Sequence, residues 1–164
     1  MQKPNFGESV SEIITRDSRY DRDSYYFVRE GLDFTLKMLK KQRHAAAVQR
    51  HVSGQELLEG LRRYALDQFG PMAKTVLHYW GVHRCEDFGA IVFNMVDKGI
   101  LGKTDQDSLA DFAGGFDFEE AFVRPFQPAA RPKTRSTGRQ VSPSAPVRDH
   151  SRASDSKKLS SGSN

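Results

Sequence analysis

SGQELLEGLRRYALDQFGPMAKTVLHYWG, residues 53–81, holds two helix starts and the stop between them. Ser53 with Glu56 three residues on is a capping box: the hydroxyl takes the N–H of position 56 while the carboxylate reaches back to the N–H of position 53. Behind it Leu57, Leu58, Leu61 and Ala65 recur at helical spacing, which predicts a helix from Gly54 to Phe69. Gly70 supplies the left-handed stop. Pro71 opens the next helix, because the N–H it lacks would be unpaired in a first turn anyway. That helix carries Met72, Val76, Leu77 and Trp80 and runs to Gly81. The link Phe69-Gly70-Pro71 makes the two helices meet at a sharp angle, and a chain organised this way is mainly α.

The pattern continues on both sides. Upstream, Val10, Ile13 and Ile14 mark a short helix over Glu8 to Thr15, which needs tertiary support at that length. From Asp23 to Arg43 a longer one carries the stripe Phe27, Val28, Leu32, Leu36 and Leu39, with Lys37, Lys40, Lys41 and Arg43 toward the end that suits cations. Downstream, a helix from Glu86 to Lys98 starts on two acids, stops at Gly99, and shows Phe88, Ile91, Val92, Met95 and Val96 on one side. Residues 100–118 read either as a short β-hairpin or as a loop with one helical turn. Asp117 and Glu120 form a second capping pattern ahead of a last short helix that must end before Pro125, and Phe126 is expected to close the core. The expected fold is a bundle of five to six helices. A hairpin at 100–118 would turn it into a winged-helix-like variant, although the would-be recognition helix opens with Glu86 and Asp87, which oppose phosphate.

The chain has 164 residues, of which 37% are hydrophobic, low for a chain that is globular throughout. The deficit is local. From Gln127 onward there is no aromatic residue, and Val141, Val147 and Leu159 are the only large aliphatics, so this stretch cannot bury enough surface to fold. Residues 1–126 are expected to form the helical domain and 127–164 a disordered Pro/Ser/Arg-rich tail. Up to Phe126 there are 17 Lys and Arg against 19 Asp and Glu, a net of −2; beyond it 8 stand against 2, a net of +6, which together give +4. The basic balance therefore belongs to the tail, whose arginines suit either nonspecific attraction to phosphate backbones or simple solubility.

One cysteine, Cys85, excludes an internal disulfide and fits a reducing compartment. No apolar run approaches the ~18 residues of a membrane span, and Met1-Gln2-Lys3-Pro4-Asn5 leads into no signal-peptide core. The expectation is a cytoplasmic protein with no membrane partner.

Candidate chemistry is sparse. Gly102-Lys103-Thr104 ends like a phosphate-binding loop, but that loop needs a glycine five residues before Gly102, where Asp97 stands. Asp105, Asp107 and Asp111 supply loop carboxylates, yet an EF-hand wants Gly and Glu where Ala110 and Phe116 stand; a solvated loop that caps the next turn is the simpler reading. His78, His83, Cys85 and Glu86 include metal-ligand types without the second half of a zinc site. A thiol at Cys85 near a helix start is nucleophilic only if a base and an orienting group complete it, and Glu86 and Asp87 raise its pKa rather than lower it. Tyr25-Tyr26-Phe27 and Tyr79-Trp80 offer stacking faces, with core filling the expected use. No catalytic, cofactor-binding or metal-binding residue is assigned, and no cofactor is expected.

The runs His51 to Gly60 and Gln68 to Leu77, with the segment from Glu86-Asp87-Phe88-Gly89 through Gly102-Lys103-Thr104, resemble an uncharacterised bacterial family of planctomycetes and verrucomicrobia, catalogued as a conserved repeat protein. The likeness spans Phe6 to Phe126 and leaves out the tail. It implies a discrete domain and brings no activity, ligand or catalytic residue. The functional expectation is a non-enzymatic helical interaction domain with a protein partner and a flexible basic tail; the alternative is a winged-helix-like protein associated with nucleic acid through that tail.

Overall fold

The computed structural model describes residues 5–42 and 51–130. Arg43 and the tail from 131 onward, on which part of the expectations fell, lie outside the described residues. Within them the chain runs through α1 (Phe6–Arg16), α2 (Arg22–Gln42), α3 (Gly54–Phe69), α4 (Ala73–Tyr79), α5 (Cys85–Asp97) and α6 (Phe118–Phe122). Three 3-10 turns, Gly70–Met72, Leu109–Phe112 and Arg124–Phe126, complete the regular structure, and the described residues contain no strand. The fold is a mainly α bundle.

Local signals set the helix ends. Ser53 accepts the N–H of Glu56 at 3.2 Å while the Glu56 carboxylate accepts the N–H of Ser53 at 3.1 Å, and α3 occupies the expected span. At its far end Gly70 takes φ +50°, a region closed to most L residues, and Pro71 lies in the 3-10 turn that leads into α4. α1 starts two residues earlier than expected because Asn5 caps it: its side chain accepts from the Gly7 N–H at 2.8 Å and its own N–H donates to Glu8 at 3.2 Å. Asp117 accepts from the N–H groups of Glu119 and Glu120, at 2.8 and 3.0 Å, and starts α6.

α2 and α3 approach so closely that only small groups fit where they cross. A Cβ on Gly60 would fall 1.8 Å from Thr35 Oγ1, and one on Gly31 2.4 Å from a methyl of Leu61. Thr35 is fully buried, and its hydroxyl is satisfied by donating to the Gly31 carbonyl at 2.7 Å. Around this crossing the core gathers Tyr25 and Val28 of α2, Leu58 and Leu61 of α3, Leu77 of α4, Phe88, Ile91 and Met95 of α5, and Phe122 of α6, all with almost no exposed surface. Asn94 of α5 donates to Asp17 at 3.0 Å and to the Tyr25 hydroxyl at 3.1 Å, fastening the α1–α2 corner to the bundle.

Three expectations are corrected. The β-hairpin at 100–118, and with it the wing of a winged-helix variant, is absent among the described residues; the segment is a loop with one helical turn, Leu109–Phe112. The cause is Phe112, which buries its ring against two glycines of different helices. A Cβ on Gly89 would meet that ring at 2.8 Å, and one on Gly54 would meet it at 3.3 Å. Thr104 and Asp107, then Ser108 and Asp111, hold the backbone in tight turns that no strand ladder accommodates. Phe126 does not close the core: Pro125 breaks off α6, and the turn after it leaves Phe126 46% exposed. Phe122 fills that role, edge-on to Phe116 and Phe118. Tyr79 is 83% exposed and fills no core, whereas its neighbour Trp80 packs on Phe27 and Phe69 at ring-centre distances of 5.7 and 5.6 Å.

Candidate functional site

A cleft of about 240 Å³ with an apolar floor opens between α2, the start of α3, the second half of α5 and the loop that follows it. Its floor comes from helical repeats. Leu32 and Leu36 are one turn apart on α2, Val92 and Val96 one turn apart on α5, and Phe93 stands beside them. Val52, Leu57, Leu101 and Phe112 close the ends. The α2 stripe foreseen in sequence thus splits: Phe27 and Val28 are buried in the core, while Leu32 and Leu36 are half-buried and face the cleft.

The rim is polar and already ordered. Asp107 Oδ2 accepts the N–H of Thr104 at 2.6 Å and its hydroxyl at 3.0 Å, and pairs with His51 Nε2 at 2.6 Å. Burial pushes the Asp107 carboxyl up, but the Thr104 N–H, His51 and the Thr104 hydroxyl together hold it below the ordinary carboxylate range. Asp111 accepts the N–H of Ser108 at 2.8 Å, and its carbonyl takes the Gln55 side chain at 2.6 Å, which ties the loop to α3. The Lys103 ammonium lies 5.6 Å from the centre of the Phe93 ring, a cation–π contact on the rim.

This group does not form a catalytic relay. The carboxylate stands between the Thr104 hydroxyl and the His51 imidazole, so the imidazole is not placed to take the hydroxyl proton, as nucleophile activation requires. The three loop acids likewise do not converge on one point: Asp107 and Asp111 each cap their own turn, and Asp105 is exposed. Gly102-Lys103-Thr104 leaves α5 as a helix-to-loop exit, with Gly102 in the cleft wall.

His78, His83 and Cys85 come near one another without sharing a centre. The two imidazoles meet edge to face at 4.6 Å between ring centres, and His78 stacks on Phe118. The Cys85 thiol points elsewhere, donating to the Phe116 carbonyl at 3.3 Å. Burial, and behind it the carboxylates of Glu86 and Asp117, push that thiol up to about 11 despite its place at the start of α5. Glu86 is exposed, and among the described residues no group of three or more His, Cys, Asp or Glu side chains is gathered to hold a metal ion. No helix among them is long and apolar enough to cross a membrane.

Compared with family models, with curated proteins and with solved structures, the chain finds no match. The cleft therefore has to be read from its own residues. Sequence reasoning missed it because its walls are brought together from positions 32 to 112; the available signal was that the α2 stripe is longer than one core-facing helix needs.

Proposed function

We propose that this chain is a helical interaction domain, without enzymatic activity of its own, that binds a protein partner by seating apolar side chains in the cleft between α2 and α5. The observation that carries this reading is the cleft's composition: an apolar floor whose surrounding polar groups are already bonded to one another. At about 240 Å³ it is smaller than the ~300–1,000 Å³ of typical small-molecule sites, a size that suits a few side chains of a docked segment. Selection of displayed random peptides on the full chain tests it. Enriched peptides should carry apolar anchors at helical spacing and should lose affinity for a Val96→Glu variant that keeps the wild-type circular dichroism spectrum. Enriched peptides indifferent to that variant, or turnover of a substrate by the purified chain, would sink the reading.

The +6 charge of residues 127–164 supports a second, separable role for the tail, a salt-sensitive attraction to nucleic acid. Binding of mixed DNA and RNA by the full chain and by a chain ending at Phe126, across a salt series, isolates it. The tail reading requires binding by the full chain alone, with a steep salt dependence.

A further inference from the structure

The C-terminal end of α4 brings two imidazoles together. Gly81 takes φ +85°, its N–H donates to the His78 carbonyl at 3.0 Å, and the Val82 N–H donates to the Leu77 carbonyl at 2.9 Å. These are the two bonds of a Schellman cap, which turns the chain back at the end of the helix. His83, five residues after His78, thereby comes to lie against it, with ring centres 4.6 Å apart and planes at 66°. The pair is held from both sides: the His78 ring stacks on Phe118, and the His83 backbone N–H donates to Asp87 at 2.8 Å. Among the described residues neither imidazole has a hydrogen bond, and no buried side-chain nitrogen lacks a partner. The unbonded nitrogens of half-buried His78 therefore reach the surface, where His83 is exposed beside them.

Two imidazoles that share one ion, each bound through a nitrogen at about 2.0–2.1 Å, have ring centres about 5 Å apart, close to the separation already present. We propose that His78 and His83 form a two-histidine site for a divalent transition ion of the Cu²⁺, Ni²⁺ or Zn²⁺ type, with water in the remaining positions. The site is independent of the cleft. Burial first, then His83 and Lys74, lowers the pKa of His78, which keeps its imidazole in the neutral form that binds metals. The charge of Lys74 is met by Glu119, its ion-pair partner. Asp87 is committed to the N–H groups of His83 and Arg84 and to the Tyr20 hydroxyl, and the Cys85 thiol to the Phe116 carbonyl, so neither adds a third protein ligand. Two imidazoles without a carboxylate select against Mg²⁺ and Ca²⁺, which require oxygen ligands.

Calorimetric titration of the full chain with Cu²⁺, Zn²⁺ and Mg²⁺ at about pH 7.5 tests this, and broadening of amide signals by Cu²⁺ places the ion. Placement matters because the chain has five histidines, His150 of the tail among them. Cu²⁺ should bind more tightly than Zn²⁺, and Mg²⁺ should neither bind nor compete. Broadening should centre on residues 77–84. His83→Gln, at an exposed position, should keep the wild-type circular dichroism spectrum and lower the Cu²⁺ affinity about tenfold or more, and His78→Gln should do the same to the affinity. If His78→Gln fails to fold, His83→Gln decides alone. Affinity that survives His83→Gln would overturn the site, as would broadening centred on His51 or His150. Loss of affinity in only one of two folded variants would mean a lone surface imidazole and would overturn it too. Equal competition by Mg²⁺ would show attraction to surface carboxylates in its place.

Discussion

Gly60 shows how one missing methyl group sets the distance between two helices. Ala at this position would improve the intrinsic helix preference of α3 by roughly 1 kcal/mol, yet its Cβ would lie inside the van der Waals envelope of Thr35, which is buried and cannot swing away. Gly60→Ala is therefore expected to destabilise the chain by about 1–3 kcal/mol in urea unfolding, the usual cost of overpacking, and Thr35→Ala in the same chain should recover part of it. Cys85 gives a second expectation. A thiol held at about 11 and turned into the protein should resist iodoacetamide at pH 8 in the native chain and react promptly in denaturant, as mass spectrometry of the alkylated protein would reveal. Prompt labelling of the native chain would contradict its burial.

Among the elements, the turn at Leu109–Phe112 matters most for the cleft, because Phe112 pins the loop to α3 and α5 and forms part of the cleft wall. Phe112→Ala should cost about 3–5 kcal/mol of stability and weaken peptide binding to the cleft. An unchanged unfolding midpoint would show that the loop is held by its caps alone. The same element shows what was legible beforehand. Ser53 with Glu56, and Gly70 with Pro71, act on backbone groups within four residues, so α3 and its exit could be read from the chain directly. The choice between hairpin and helical turn at 100–118 depended on Gly54 and Gly89, which are far away in sequence and meet only in the folded bundle. Phe126 misled for a related reason: an aromatic residue after a proline is core or surface according to where the turn at Pro125 aims it.

For the whole molecule, several ionisable groups make stability depend on pH in the same sense, His78 and Asp17 among them, with Glu59 and Asp107 acting alongside Asp17. Burial first, then His83 and Lys74, lower the pKa of His78 from its usual 6.5, so the unfolded chain binds a proton that the folded one resists. Stability is complete above that pH and declines as the pH falls through and below it. Asp17 acts lower down: the Arg19 guanidinium, opposed by burial and helped by Asn94, holds its carboxyl well below the usual 3.8. The stability it contributes is present above about that value and is lost as acid protonates it. Thermal unfolding between pH 3 and pH 8 should show both limbs, with His78→Gln flattening the upper one and Asp17→Asn reducing the lower one, to which Glu59 and Asp107 also contribute. Helix positions and the apolar faces were legible in the sequence because they are periodic; the cleft and these titrating contacts were not, since each joins residues that the chain spaces widely. Trp80 is the sole indole of the chain, half-buried against Phe27 and Phe69, and its backbone carbonyl accepts the N–H of Asp21 at 3.0 Å. The molecule thus contains its own optical gauge: light absorbed there comes back as an emission whose colour reports whether the end of α4 is seated on the corner before α2, with no dye attached.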